Sequence, residues 1–188
     1  MKLNIKLPSS IIAAALMWAV FLIEAVLPGN LNHFGILPRT VEGLWHIPLA
    51  PFIHGSLFHL IGTTLPLIGI GFIIQLKDKN IFWELFGILT VLGGLGTWAM
   101  GGNAYHIGAS GVLLGLWSFL ISDAVFTKSI KAFAMAGITI IFYGFMIFSV
   151  LDFRGHISVA GHISGFIMGI AVAFLTAKGK KICNYSGE

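Results

Sequence analysis

Charge is scarce in this chain: Asp, Glu, Lys and Arg make up 10% of its 188 residues, against roughly 25% in an ordinary soluble domain. With a mean hydropathy of +0.95, that deficit excludes a water-soluble body and defines an integral membrane protein. The length suits one domain, read as residues 1–188, of several spans at about 20 residues each. Cysteine is nearly absent. Cys183 stands alone in the tail, so there is no intrachain disulfide, no Cys-x-x-Cys and no thiolate metal site. His-Glu-x-x-His is missing, which argues against a zinc protease. A 20 to 50 residue repeat and the inverted halves of a transporter are missing too. The net charge of +4 needs no nucleic-acid partner to explain it, and neither a metal nor a cofactor is expected.

What is present is a series of apolar runs. Six spans are read at about 11–27, 52–76, 81–100, 107–126, 130–151 and 157–176. The first is long for the apolar core of a signal peptide, and Glu24 sits badly before a cleavage site, so it is taken as a span. No physical role for Glu24 follows from its position. Residues 28–51, with Pro38, Arg39, Glu42 and Trp45, are too polar to cross and suit a loop lying partly in the interface. Of the 11 basic residues, all but Arg39 and Arg154 are lysines on the N-terminus, the second and fourth connections and the tail. By the positive-inside rule both termini are cytoplasmic, and a bacterial-type inner membrane is the expected location.

This topology makes spans two, four and six run inward from the outer face. Ser110 lies seven residues past Asn103 and His162 eight past Arg154, so at about 1.5 Å per residue they share a level just below the outer surface. Polar and ionisable side chains at such depth face the protein interior and mark function by default. Gly108, Gly111 and Gly115 recur on one face of the fourth span, and His162, Gly165 and Gly169 repeat that spacing on the sixth. Two smooth stripes allow close backbone approach and would carry the His162 ring to the Ser110 hydroxyl, the geometry of a base-activated nucleophile. His59 and Thr63, at i and i+4, share a face and point donors toward the same space. His54, about 140° away around a helix, belongs to the loop or another role.

Taken singly, Gly108-Ala109-Ser110-Gly111 is a weak motif, and a lone serine at a helix start is commonly a cap. A membrane haem protein with His59 and His162 as axial ligands is a further reading, but apart from His54 and His59 at a span's edge, histidines paired one or two turns apart within a span are lacking.

Three motifs in register, His54-Gly-Ser-Leu-Phe-His59, Gly108-Ala-Ser110-Gly111 and His162-x-x-Gly165-x-x-x-Gly169, on spans two, four and six, resemble the rhomboid intramembrane serine proteases. The likeness also takes in residues 38–52 and covers nearly the whole chain. It implies an all-α, six-span bundle, with Ser110 as nucleophile and His162 as general base, a dyad without a carboxylate. It implies an oxyanion hole from the Ser110 N–H, His59 and the position of Thr63. The substrate would be a transmembrane helix of a single-pass or polytopic protein in the lipid bilayer, cut near its outer end. The fifth span would move to admit it, with the loop before His156 as a cap. Two positions depart from the family pattern: Thr63 where Asn is usual, and Leu114 where an aromatic often supports the histidine. The alternative is a catalytically weak rhomboid-like protein that binds transmembrane helices without cutting them.

Overall fold

The computed structural model of the protein describes residues 7–78, 80–150 and 158–185, the last six by backbone alone. Lys2, Lys6, Lys79 and the expected cap loop with Arg154 and His156 lie outside the described residues, as do the side chains of Lys180, Lys181 and Cys183.

The described residues form eight α-helices: α1 (Ser9–Val26), α2 (Val41–Trp45), α3 (Leu57–Lys77), α4 (Ile81–Met100), α5 (Ser110–Thr127), α6 (Ile130–Tyr143), α7 (Ile147–Val150) and α8 (Val159–Tyr185). Six segments are long and apolar enough to cross a membrane: α1, α3, α4, α5, α8, and α6 with α7 taken together as residues 130–150. The protein is therefore an all-α, six-span bundle, as its hydropathy requires. Helices close their own backbone hydrogen bonds, which is why they are tolerated in hydrocarbon. Thr64, Thr97, Thr139 and Thr176 donate their hydroxyls to carbonyls four residues back, at 2.8 to 2.9 Å, and so carry no orphan donor into the apolar layer.

Element boundaries follow local chemistry. The second span begins at Leu57 rather than Phe52 because Ser56 caps it, its hydroxyl accepting the His59 N–H at 3.2 Å. His54 consequently stands in the loop. The fourth begins at Ser110 rather than Ile107, after a turn at Gly108. The fifth, expected as one helix, breaks into a 3-10 turn at Gly144–Met146 before α7, and the Ser149 hydroxyl caps the Met146 carbonyl at 2.6 Å.

α5 is the axle: 61% of its span is buried, against 22% for α1 and for residues 130–150. Leu116, Phe119 and Leu120 on α5 pack with Leu60, Leu67, Phe82 and Leu89 in the main apolar core. At the lysine end Lys77 pairs with the buried Asp123 of α5, its ammonium 5.4 Å from the Phe119 ring centre. A charge at that depth needs such a partner. On α1, Ser10 donates to the Ile68 carbonyl at 3.2 Å and the Trp18 indole to Thr64 at 3.3 Å, tying α1 to α3. Glu24 acquires a role here: its carboxylate accepts the Leu31 N–H at 2.9 Å and holds the first loop against the end of α1.

The glycine seam lies between α5 and α8. A Cβ on Gly111 would stand 2.8 Å from the Gly161 carbonyl oxygen, and one on Gly115 3.0 Å from that of Gly165. Cβ atoms on Gly165 and Gly169 would fall on the carbonyls of Gly111 and Gly115. Ser118 adds a cross-helix bond to the Phe166 carbonyl at 2.8 Å. The expected stripe needs two corrections. Gly108 is no part of it, because it precedes the helix with φ +94° and faces His59. On α8 the stripe is Gly161, Gly165 and Gly169, with His162 beside it.

Candidate active site

Ser110 owes its position to the turn before it. Gly108 adopts a left-handed conformation that favours glycine. Its N–H donates to the Ala50 carbonyl at 2.8 Å, and a Cβ there would come within 2.6 Å of the His59 ring. The first helical bond of α5 runs from the Leu113 N–H to the Ala109 carbonyl at 2.8 Å. The N–H groups of Ser110, Gly111 and Val112 therefore have no acceptor within the helix and present the positive end of its dipole.

His162 reaches across the seam. Its Nε2 lies 2.9 Å from Ser110 Oγ and its Nδ1 2.7 Å from the carbonyl oxygen of Ser149. A carbonyl can only accept, so Nδ1 carries the proton, and the Nε2 lone pair is left to accept the Ser110 O–H. This is the tautomer that a general base needs. A main-chain carbonyl from the break in the fifth span thus orients the ring, as a carboxylate does in a triad.

The pair opens on a cavity of about 750 Å³, lined also by Phe58, His59, Thr63 and Tyr105. His59 borders it from α3, its ring close over Gly108. Thr63, buried one turn further along, donates its hydroxyl to the His59 carbonyl at 2.9 Å, so its proton is engaged within its own helix. Leu114 is buried in the core. Behind Ser110 a second space of about 40 Å³ is bordered by Thr90 and Thr97. Thr90 Oγ1 is buried there without a partner, and the space exceeds the roughly 10–15 Å³ that a water needs. Among the described residues no group of three or more His, Cys, Asp or Glu is placed to hold a metal.

His54 stands outside the pair. Its ring is 1% exposed, with no well-formed hydrogen bond to either nitrogen, and its centre lies 4.9 Å from that of His59. Burial first, and then the neighbouring His59, lower its pKa from 6.5 to about 4, the Phe52 backbone acting weakly in the other direction. The unfolded chain accordingly binds more protons than the folded one between these values, so the stability that the neutral ring contributes is lost as pH falls through that window. Melting temperature in detergent should drop from pH 6.5 toward 4, and His54→Gln should flatten the slope. An unchanged slope in a folded variant would assign the acid sensitivity elsewhere.

The loops that frame the site are tied together. Arg39 donates to the Gly101 carbonyl and to Asn103 Oδ1, both at 2.7 Å, and the Trp98 indole donates to the Thr40 carbonyl at 2.7 Å. Ile36 and His106 pair through their backbones. Sequence reasoning missed four contributors: Ser149, His106, Ser158 and Gly161. For Gly161 a signal existed, the G-x-x-x-G spacing to Gly165 and Gly169. Ser149 acts through a main-chain oxygen, which every residue has, so nothing in its identity marks it.

Residues 41–179 match the family model described as the Rhomboid domain. The chain belongs to the rhomboid family. It is 34% identical over 170 residues to an uncharacterised protein of Mycobacterium tuberculosis, covering 86% of this chain and 71% of that one. An uncharacterised Mycobacterium leprae protein is 31% identical over 171 residues, covering 86% and 67% respectively. RHOMBOID-like protein 1 of Arabidopsis thaliana is 25% identical over 136 residues, 70% of this chain and 34% of that one.

Proposed function

We propose that this protein is an intramembrane serine endopeptidase that cleaves transmembrane helices of other membrane proteins near their outer end. The observation that carries this reading is the 2.9 Å contact between His162 Nε2 and Ser110 Oγ, with Nδ1 engaged by the Ser149 carbonyl. Ser110 Oγ attacks the scissile carbonyl carbon as its proton passes to Nε2, and the resulting imidazolium is held by Ser149. The oxyanion meets the Ser110 N–H and the His59 side chain, in a site where fixed donors act most strongly on developing charge. His162 then protonates the leaving amine. Water, deprotonated by the same ring, releases the acyl group from Ser110. A helix shields its own amides, so the substrate must unwind locally into the cavity before attack.

Thr63 is assigned a lesser part in the oxyanion hole, since its hydroxyl proton is turned to His59. That weakness is what favours the second reading, a helix-binding protein with little activity. Purified protein in detergent, treated with a fluorophosphonate, decides between them. Covalent label on Ser110, absent from Ser110→Ala, supports the protease. Label no greater than in a folded Ser110→Ala variant ends that assignment.

The site is placed toward the outer face, with both termini cytoplasmic, in an inner membrane of bacterial type, because the lysines cluster on the other connections. Cysteines set singly at Asn32 and Asn103 in a Cys183→Ser background should react with an impermeant maleimide in intact cells. Reaction only after lysis reverses the orientation.

A further inference from the structure

A second bond joins the two chain segments that carry the serine and its base. His106 Nδ1 lies 2.7 Å from Ser158 Oγ, and these residues are 52 apart in the chain, the same separation as Ser110 and His162. Ser158 is one helical turn from the base: its carbonyl accepts the His162 N–H at 2.9 Å and its hydroxyl accepts the Gly161 N–H at 3.2 Å. His106 stands just before the Gly108 turn that presents Ser110. Its backbone is clamped, exchanging two hydrogen bonds with Ile36 at 2.9 Å each.

The polarity of the bond follows from its surroundings. His106 Nε2 lies 3.2 Å from the Gly102 carbonyl, which can only accept, so Nε2 carries the proton and Nδ1 accepts the Ser158 O–H. The Ser158 oxygen remains free to receive the Gly161 N–H. Burial lowers the His106 pKa, with the Gly102 carbonyl opposing and Arg39 adding to the effect, which keeps the ring neutral and this polarity in place at neutral pH.

A glycine seam brings helices close but offers few interlocking side chains to set how far one slides along the other. The dyad needs that register held, because an error of about 1 Å can cost roughly 100-fold in rate. We propose that His106 is a positioning residue: through Ser158 it sets the register of α8 on α5, so that His162 meets Ser110. The inference takes its kinetic readout from the protease reading above.

The experiment compares acylation of Ser110 by a fluorophosphonate in full-length wild type, Ser158→Ala, His106→Gln, His106→Asn and the double variant Ser158→Ala/His106→Gln. Asn places its carbonyl oxygen where Nδ1 stood and can accept from Ser158, whereas Gln reaches only the Nε2 position. Ser158→Ala and His106→Gln should each slow the acylation step about tenfold, with probe binding unchanged. His106→Asn should recover most of the rate, and the double variant should be no slower than either single one. Equal loss in the Asn and Gln variants, or losses that multiply in the double variant, overturns the proposal. A wild type that does not label at all overturns the protease reading instead. The tie is then read from the ring-nitrogen resonances of His162 in ¹⁵N-histidine protein: Ser158→Ala and His106→Gln should move them and His106→Asn should not. Resonances unmoved by every variant overturn it.

Discussion

His162→Ala should lower cleavage of a model transmembrane substrate by roughly 10⁴- to 10⁶-fold, the loss expected when a hydroxyl nucleophile is deprived of its base. The reason is local. Ser110 Oγ has one basic nitrogen at 2.9 Å, and that nitrogen is made basic by the proton that Ser149 holds on the other side of the ring. His59→Ala should cost about 10²-fold, as removal of one donor to an oxyanion does. Thr63→Ala should change the rate less than about threefold, because its hydroxyl already bonds its own helix. His54→Ala should leave measurable activity, since its ring touches neither Ser110 nor His162 by any bond described. The series is measured as single-turnover rates on one substrate, with variants of verified fold. A loss at His54 or Thr63 equal to that at His162 would dismantle this ranking.

Gly165→Ala should be damaging as well, although no side chain of the site is altered. The added methyl would fall on the Gly111 carbonyl, which belongs to backbone and cannot rotate away. α8 must shift off α5, and the Nε2 to Oγ contact lengthens with it. Fluorophosphonate labelling of Ser110 should drop about 100-fold, since a displacement near 1 Å suffices for that. Overpacking of this kind also costs about 1–3 kcal/mol, so the melting temperature should fall. Gly137→Ala is the control. A Cβ there meets nothing within 4 Å, and replacing glycine inside a helix gains up to about 1 kcal/mol. If Gly165→Ala labels and melts like wild type, the seam is not what sets the distance between serine and base.

The spans could be read directly because the bilayer imposes one rule on every segment that crosses it: about 20 apolar residues with their backbone closed. The break in the fifth span could not. Residues 137–150 are mostly apolar, and Gly144, where the turn starts, has the same composition signal as Gly115 and Gly137, which leave their helices unbroken. The break follows Tyr143, whose phenol occupies the place where Gly69 of α3 lacks a side chain. Thr63 shows a similar limit: its hydroxyl turns to the His59 carbonyl rather than into the cavity, a rotamer choice that spacing does not reveal. Glu24 had no role by position until the Leu31 N–H was found beside it.

Hydropathy depends on each residue's own transfer energy, so the sequence by itself determined a six-span membrane protein, with Ser110 and His162 near the starts of their spans. Their residue types, one hydroxyl and one imidazole at a shared level beside glycine stripes, were determined there too. Tertiary structure alone decided which glycines face each other, which nitrogen of His162 is the base, and that a main-chain carbonyl orients it. Those outcomes rest on backbone groups and ring tautomers, which are the same for every residue of a kind and acquire their partners only when the helices pack.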